Sequence, residues 1–212
     1  VRGKARDIDK KVAIATLNAK AYYILSSLLK DLKIPFTSAV PGQDIDATVT
    51  LVLTTIGEKD IVGDRTLLFY EDIINNFTVA KERIFSLLYN NENDALMIGI
   101  DPGLRTGIVA IYCGKTVFGK ITSSFEETLT NVSFLINSSQ AKSKIIRIGE
   151  GDYKLAVEIA ENLSSLKKEN VVIEIVDERR TTRVSSSYLR EQKDLRSARI
   201  ISLRKGKAYY HS

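Results

Sequence analysis

The sequence predicts an α/β protein in two parts. A small α/β domain comes first, followed by a domain in which a three-stranded antiparallel meander leads into parallel β-α-β crossovers. Three observations carry this reading. Over roughly the first 90 residues, short strand-like apolar runs alternate with helix-spaced ones. A polar stretch, Asn90-Asn91-Glu92-Asn93-Asp94, then separates two strongly periodic segments. Beyond it, three apolar runs joined by short glycine-containing turns precede any helical pattern. The expected division is a first domain at residues 1–90, a linker at 91–95 and a second domain at 96–212.

Taken in order, residues 11–16 read as a first strand. A helix follows, with Tyr22, Leu25, Leu28, Leu29 and Leu32 on one face. Residues 34–40 form a strand closed by Pro41-Gly42, and residues 48–54 and 66–70 form two more. A helix over 77–89 carries Val79, Ile84, Leu87 and Leu88, and the alternation predicts a mainly parallel sheet. In the second domain, residues 96–100 form a strand ended by Asp101-Pro102-Gly103. Strands at 107–112 and 116–121 are separated by Cys113-Gly114-Lys115. Helix 126–138 then precedes strand 144–149, helix 153–168 precedes strand 171–176, and helical sequence fills the remainder. This βββαβαβα order is the outline of the ribonuclease H fold.

Composition excludes several function classes. With 44% hydrophobic and 27% charged residues the chain is a globular one, not a disordered one. No apolar run approaches the roughly 18 residues needed to span a bilayer. The opening Val1-Arg2-Gly3-Lys4 lacks the apolar core of a signal peptide, so a cytoplasmic protein with no membrane partner is expected. A single cysteine, Cys113, rules out an intrachain disulfide. A single histidine, His211, leaves no Cys/His zinc site and no well-placed histidine base. Any chemistry must rest on carboxylates, lysine or tyrosine. Charge is uneven: between Glu178 and Ser212 stand ten Lys/Arg and three acids, a net of +7 on a chain whose total is +5. A basic segment on a near-neutral body suits a polyanion, although a solvated helix face has the same composition.

The candidate acids sit at strand ends and helix starts. Asp101 ends the first strand of the second domain, although Asp-Pro-Gly also serves as a plain turn. Glu150 follows strand 144–149, and Asp152 beyond it reads best as a helix N-cap. Asp177 and Glu178 close strand 171–176, and on extended backbone only one of these neighbours can face a site. Asp194 precedes an apolar helical pattern, where capping and catalysis are both open readings. Converging carboxylates are what hard cations such as Mg²⁺ or Mn²⁺ bind, and paired ions of this kind hydrolyse phosphodiesters.

Two motifs carry a family resemblance over about residues 96–207. Ile98-Gly99-Ile100-Asp101-Pro102-Gly103-Leu104-Arg105-Thr106-Gly107 resembles the first-strand motif of RuvC-like Holliday-junction resolvases. Val176-Asp177-Glu178-Arg179-Arg180-Thr181-Thr182 is similar to the Asp-Glu-Arg signature of the related YqgF family. Asp194, with Ala198 after it, is similar to the final Asp-x-x-x-Ala element of both. The resemblance implies a metal-dependent nuclease in which Asp101, Glu150, Glu178 and Asp194 are catalytic metal ligands for Mg²⁺ or Mn²⁺. Because Glu150 and Glu178 belong to two different family patterns, the second ligand stays open between them, with Asp177 and Asp152 as further possibilities.

The expected activity is endonucleolytic hydrolysis in structured nucleic acid, either branched DNA in recombination and repair or precursor ribosomal RNA. A two-fold symmetric substrate would suit a homodimer. Arg105, Arg179, Arg180, Arg183, Arg196, Arg199, Arg204 and Lys205 are the expected phosphate contacts. The competing reading is a ribonuclease H-fold protein that binds nucleic acid through its basic C-terminal segment without cutting it. An actin-like or sugar-kinase ATPase would need a second half and a second phosphate-binding Asp-Gly motif, which the sequence lacks.

Overall fold

The computed structural model describes residues 11–63, 65–89, 94–165, 170–177 and 190–209. The chain is a mixed α/β protein that divides into two compact units, Val1–Asn90 and Asn91–Ser212, each with its own sheet.

In the first unit, β1 (Lys11–Ala15), β2 (Phe36–Ala39), β3 (Val49–Thr54) and β4 (Thr66–Phe69) lie in the order β2-β1-β3-β4. Every neighbouring pair is parallel. Parallel strands need crossovers, and helices supply them. Helix α1 (Ala19–Asp31) starts at Asn18, whose side-chain oxygen accepts the Ala21 N–H at 3.1 Å, and it buries Ala21, Leu25, Leu28 and Leu29. Two short helices, α2 (Lys59–Val62) and α3 (Tyr70–Asn75), were not legible in the sequence. Helix α4 (Phe77–Leu88) is capped by Asn76, which accepts the N–H groups of Thr78 and Val79 at 3.1 Å each.

The carboxyl ends of β1 and β3 are tied together by Glu58. Its carboxylate accepts the Thr16 hydroxyl at 2.5 Å, the Thr55 hydroxyl at 2.6 Å and the Leu17 N–H at 2.7 Å. Burial pushes the Glu58 carboxyl up, yet these donors outweigh it and hold the group below the ordinary glutamate range.

The second unit opens with β5 (Ala95–Asp101), β6 (Thr106–Tyr112) and β7 (Lys115–Thr122), an antiparallel meander. Cys113 and Gly114 link β6 to β7 with φ of 50° and 73°. Two successive positive φ values define the tight turn that matches strand twist, and glycine takes one of them without steric cost. Helix α5 (Phe125–Ser138), β8 (Ser143–Gly149), α6 (Tyr153–Ser164) and β9 (Val171–Val176) follow, with β8 parallel to both β5 and β9. Helix α7 (Arg190–Leu203) leads into β10 (Lys207–Ala208), antiparallel to β9. The sheet order is β10-β9-β8-β5-β6-β7.

Three details depart from the sequence reading. Strand β5 begins at Ala95, and Asp94 accepts the Tyr112 hydroxyl at 2.7 Å, so residues 94 and 95 are built into the second unit. The remainder after β9 is not all helical, because β10 adds an edge strand. Asp194 lies inside α7, a full turn beyond Arg190, and is no N-cap.

The sheet's two faces follow from the period of two. Met97, Gly99 and Asp101 alternate with the fully buried Leu96, Ile98 and Ile100. Met97 packs with Val109, Ile111, Ala198 and Leu195, which places α7 on the first face. The Thr122 hydroxyl meets the Thr128 hydroxyl of α5 at 2.6 Å, which places α5 on the other. Burying one isoleucine side chain contributes about 1.5–3 kcal/mol, so β5, apolar on one whole face and central in the sheet, is the structural keel of the unit. Among the described residues no helix is long and apolar enough to cross a membrane.

Candidate functional site

Strand β5 ends at Asp101, half-buried, whose register partner on β6 is Gly107. Residues directly opposite on antiparallel strands share a face, so Asp101 and Gly107 look the same way. A Cβ added at Gly107 would meet the Asp194 carbonyl oxygen at 2.6 Å. At Gly99 it would meet the Ala198 carbonyl at 2.0 Å and the Ser202 Cβ at 2.7 Å. Helix α7 therefore rests its backbone directly on two glycines, and this close approach brings Asp194 to the corner where β5 ends. The Asp194 backbone thus lies against the register partner of Asp101, 93 positions from Asp101 in sequence, because Gly107 lacks a side chain.

Glu150 belongs to the neighbouring strand end. Ile148 pairs with Ile100, so Gly149 stands level with Asp101 and Glu150 one residue beyond. The half-buried Glu150 donates its backbone N–H to the Val176 carbonyl at 3.0 Å. Asp177, exposed, follows Val176 on the next strand. Asp152 caps α6, its Oδ1 accepting the Leu155 N–H at 3.1 Å, which is the structural role expected of it. Glu178 lies outside the described residues, as do Arg179, Arg180 and Arg183.

The cation facing Asp194 is a side chain of the β5–β6 loop. Arg105 Nε lies 3.9 Å from Asp194 Oδ2, with the two side chains 41% and 27% exposed. An ion pair so exposed and so long is worth at most about 1 kcal/mol. Among the described residues no three His, Cys, Asp or Glu side chains are grouped closely enough to hold a metal ion. Asp101 and Glu150 thus stand at the same end of adjacent strands, with the Asp194 backbone against Gly107 beside them.

The other basic residues take varied positions. Arg196 and Lys205 are exposed. Arg199 reaches across to donate to the Thr116 hydroxyl at 2.6 Å, and Arg204 donates to the Asp177 carbonyl at 3.3 Å. Sequence reasoning missed the strongest charged contact near α7. Arg147 Nε donates to Glu174 at 2.8 Å, and its Nη1 donates to the Ser202 carbonyl at 2.7 Å. Glu174 also accepts the Gly206 N–H at 3.0 Å. Burial pushes the Glu174 carboxyl up, but the Gly206 N–H and the Arg147 guanidinium prevail and hold it below the ordinary range. The pair latches the end of α7 and the turn into β10 onto β8 and β9. A signal for it was present: each is a charged residue in an apolar strand, two positions before its end.

No family model matches the chain, and no curated protein matches it. Among solved structures it is similar to one described as the crystal structure of Aa-Ago with externally bound siRNA, at 13% identity and a TM-score of 0.29. The match covers 86% of this chain and 37% of that one, so the chain spans little more than a third of its length.

Proposed function

We propose that the second unit is a ribonuclease H-like domain acting on structured nucleic acid, as an endonuclease that hydrolyses phosphodiester bonds. One observation carries the reading: helix α7 lays the Asp194 backbone on Gly107, the register partner of Asp101, at the carboxyl end of the central strand. The strand order supports it, since a meander followed by parallel crossovers is the arrangement that the motifs around Asp101 call for. Strand ends of open α/β sheets are where ligands gather.

The residues divide the work by charge. Asp101 and Asp194 make a negative corner with Glu150 at the next strand end, and Glu178 is the further acid that the family signature supplies. Mg²⁺ or Mn²⁺, the cofactor this reading calls for, would supply charge to polarise water and phosphate when bound. The described acids alone do not complete a site for it. Around the corner, Arg105 and Arg196 offer guanidinium groups to a polyanionic backbone, fixing its register without reading sequence. Branched DNA and precursor ribosomal RNA are the two substrate classes of this reading.

A second reading, nucleic-acid binding without cleavage, is favoured by a specific observation. Arg105 rather than a third carboxylate faces Asp194, and no three-acid group forms among the described residues. Incubation of four-way DNA junctions, looped RNA and linear duplex with Mg²⁺ or Mn²⁺ separates the two. The endonuclease reading expects cleavage of a structured substrate, with 5′-phosphate and 3′-hydroxyl ends, lost in Asp101→Asn. Tight binding with no cleavage of any substrate makes the protein a binder. Products ending in 2′,3′-cyclic phosphate reject the hydrolytic chemistry.

A further inference from the structure

The loop joining β5 to β6 runs from Pro102 to Arg105, and its residues divide sharply by exposure. Pro102 is buried and Gly103 half-buried, whereas Leu104 and Arg105 face solvent. Leu104 is 103% exposed, above every other large apolar side chain of the described residues; Leu17 follows at 74%. A lone exposed leucine is ordinary on a protein surface, so its position has to decide. Leu104 stands three residues beyond Asp101 and next to Arg105, whose guanidinium reaches Asp194. The least sheltered large apolar side chain of the described residues therefore stands on the rim of the acidic corner, with a cation beside it.

Apolar side chain next to cation is the pattern that a nucleic-acid strand presents in reverse, an apolar base face next to a phosphate. In continuous duplex the base faces are stacked on one another and only the phosphates are offered. Where stacking is interrupted, at a branch, bulge or loop, a base face becomes available to an apolar wedge. Resting on the nucleic-acid reading above, we propose that Leu104 is such a wedge. It packs against an unstacked base while Arg105 meets the adjoining phosphate, and so makes the site prefer interrupted over continuous duplex.

The test uses the full chain in EDTA, so that binding is read without cleavage. Dissociation constants are measured by fluorescence anisotropy for a four-way DNA junction, a bulged duplex and a continuous duplex of equal length. The proteins are wild type, Leu104→Ala and Leu104→Met, with 2-aminopurine placed at the branch as a reporter of unstacking. Expected is about a tenfold loss of affinity for junction and bulge in Leu104→Ala. Duplex affinity stays unchanged, the 2-aminopurine signal falls, and Leu104→Met behaves like wild type. Leu104 has no packing to lose, so equal thermal melting of the variants is expected alongside. An Ala variant that matches wild type on all three substrates overturns the wedge and leaves nucleic-acid binding standing. A loss equal on junction and duplex also overturns it. A wild-type protein that binds none of the three overturns both this inference and the reading beneath it.

Discussion

Gly107 shows how much a single side chain decides in this protein. A methyl group there would stand 2.6 Å from the Asp194 carbonyl oxygen, where backbone, not a flexible side-chain end, would have to yield. Gly107→Ala is expected to destabilise the chain by about 1–3 kcal/mol, the usual cost of overpacking, as measured by urea unfolding. If the proposed endonuclease activity holds, cleavage should fall further than the loss of folded protein explains, because α7 and Asp194 are pushed off the sheet beside Asp101. Asp152 makes the contrasting case. Its carboxylate caps α6, so Asp152→Ala should cost about 1 kcal/mol of stability and leave cleavage by the folded protein unchanged. A large loss of rate with stability intact would move Asp152 into the site. The roles of these two residues were unequally legible. Asp152 announces itself by preceding a helical pattern, whereas the importance of Gly107 depends on a helix residue, Asp194, 87 positions later.

Among elements, β5 to β9 were the most readable, with boundaries that differ from the sequence expectation by a residue or so except at the end of α6. Continuous apolar runs closed by glycine or acid leave little freedom for a buried strand. Elements defined by a neighbour were not readable. β10 is two residues long and exists by pairing with β9. α3 starts at Tyr70 directly after β4 ends at Phe69, with no glycine or proline to mark the change. The expected start of α7 near Asp194 came too late because the upstream turn, Arg190 to Lys193, is wholly polar and hides a helical period. The placement of α7 rests on the latch formed by Arg147 and Glu174, whose side chains are 11% and 12% exposed. Removing one partner of a buried ion pair leaves the other uncompensated, so Arg147→Ala is expected to cost about 3–5 kcal/mol. The pH dependence has a definite sign. Because the folded-state carboxyl of Glu174 is held below its ordinary value of 4.5, its stabilisation is present above that pH. It is lost as pH falls through the lower, folded-state value. Denaturant melts between pH 7 and pH 3 should show this acid loss in wild type and a flatter curve in Glu174→Gln; identical curves would detach Glu174 from the latch.

At the scale of the whole molecule, two units with separate sheets share one chain, and basic charge concentrates toward its C-terminal end. Part of that charge serves the fold, through Arg199 to Thr116 and Arg204 to Asp177, which composition alone could not reveal. Arg196 is exposed on α7. If it meets a phosphate, Arg196→Ala should weaken binding to all nucleic acids alike and lower the log–log salt slope by about one. An unchanged slope would remove it from the interface. Of the four expected catalytic acids, Asp101 ends the central strand, Asp194 has its backbone against the neighbouring Gly107, Glu150 stands at the adjoining strand end, and Glu178 lies outside the described residues. The sequence motifs could name these acids one by one. Their placement depends on strand register and on how closely α7 approaches the sheet, neither of which a linear pattern encodes.

The most direct test of the account is a double-mutant cycle on metal-dependent cleavage, comparing Asp101→Asn, Asp194→Asn and the double variant. Residues that serve one site act as a unit, so each single change should abolish at least about a thousandfold of rate and the double should be no worse. Independent, multiplying effects, or a wild-type rate retained in either single variant, would contradict the claim that Asp101 and Asp194 form one catalytic corner.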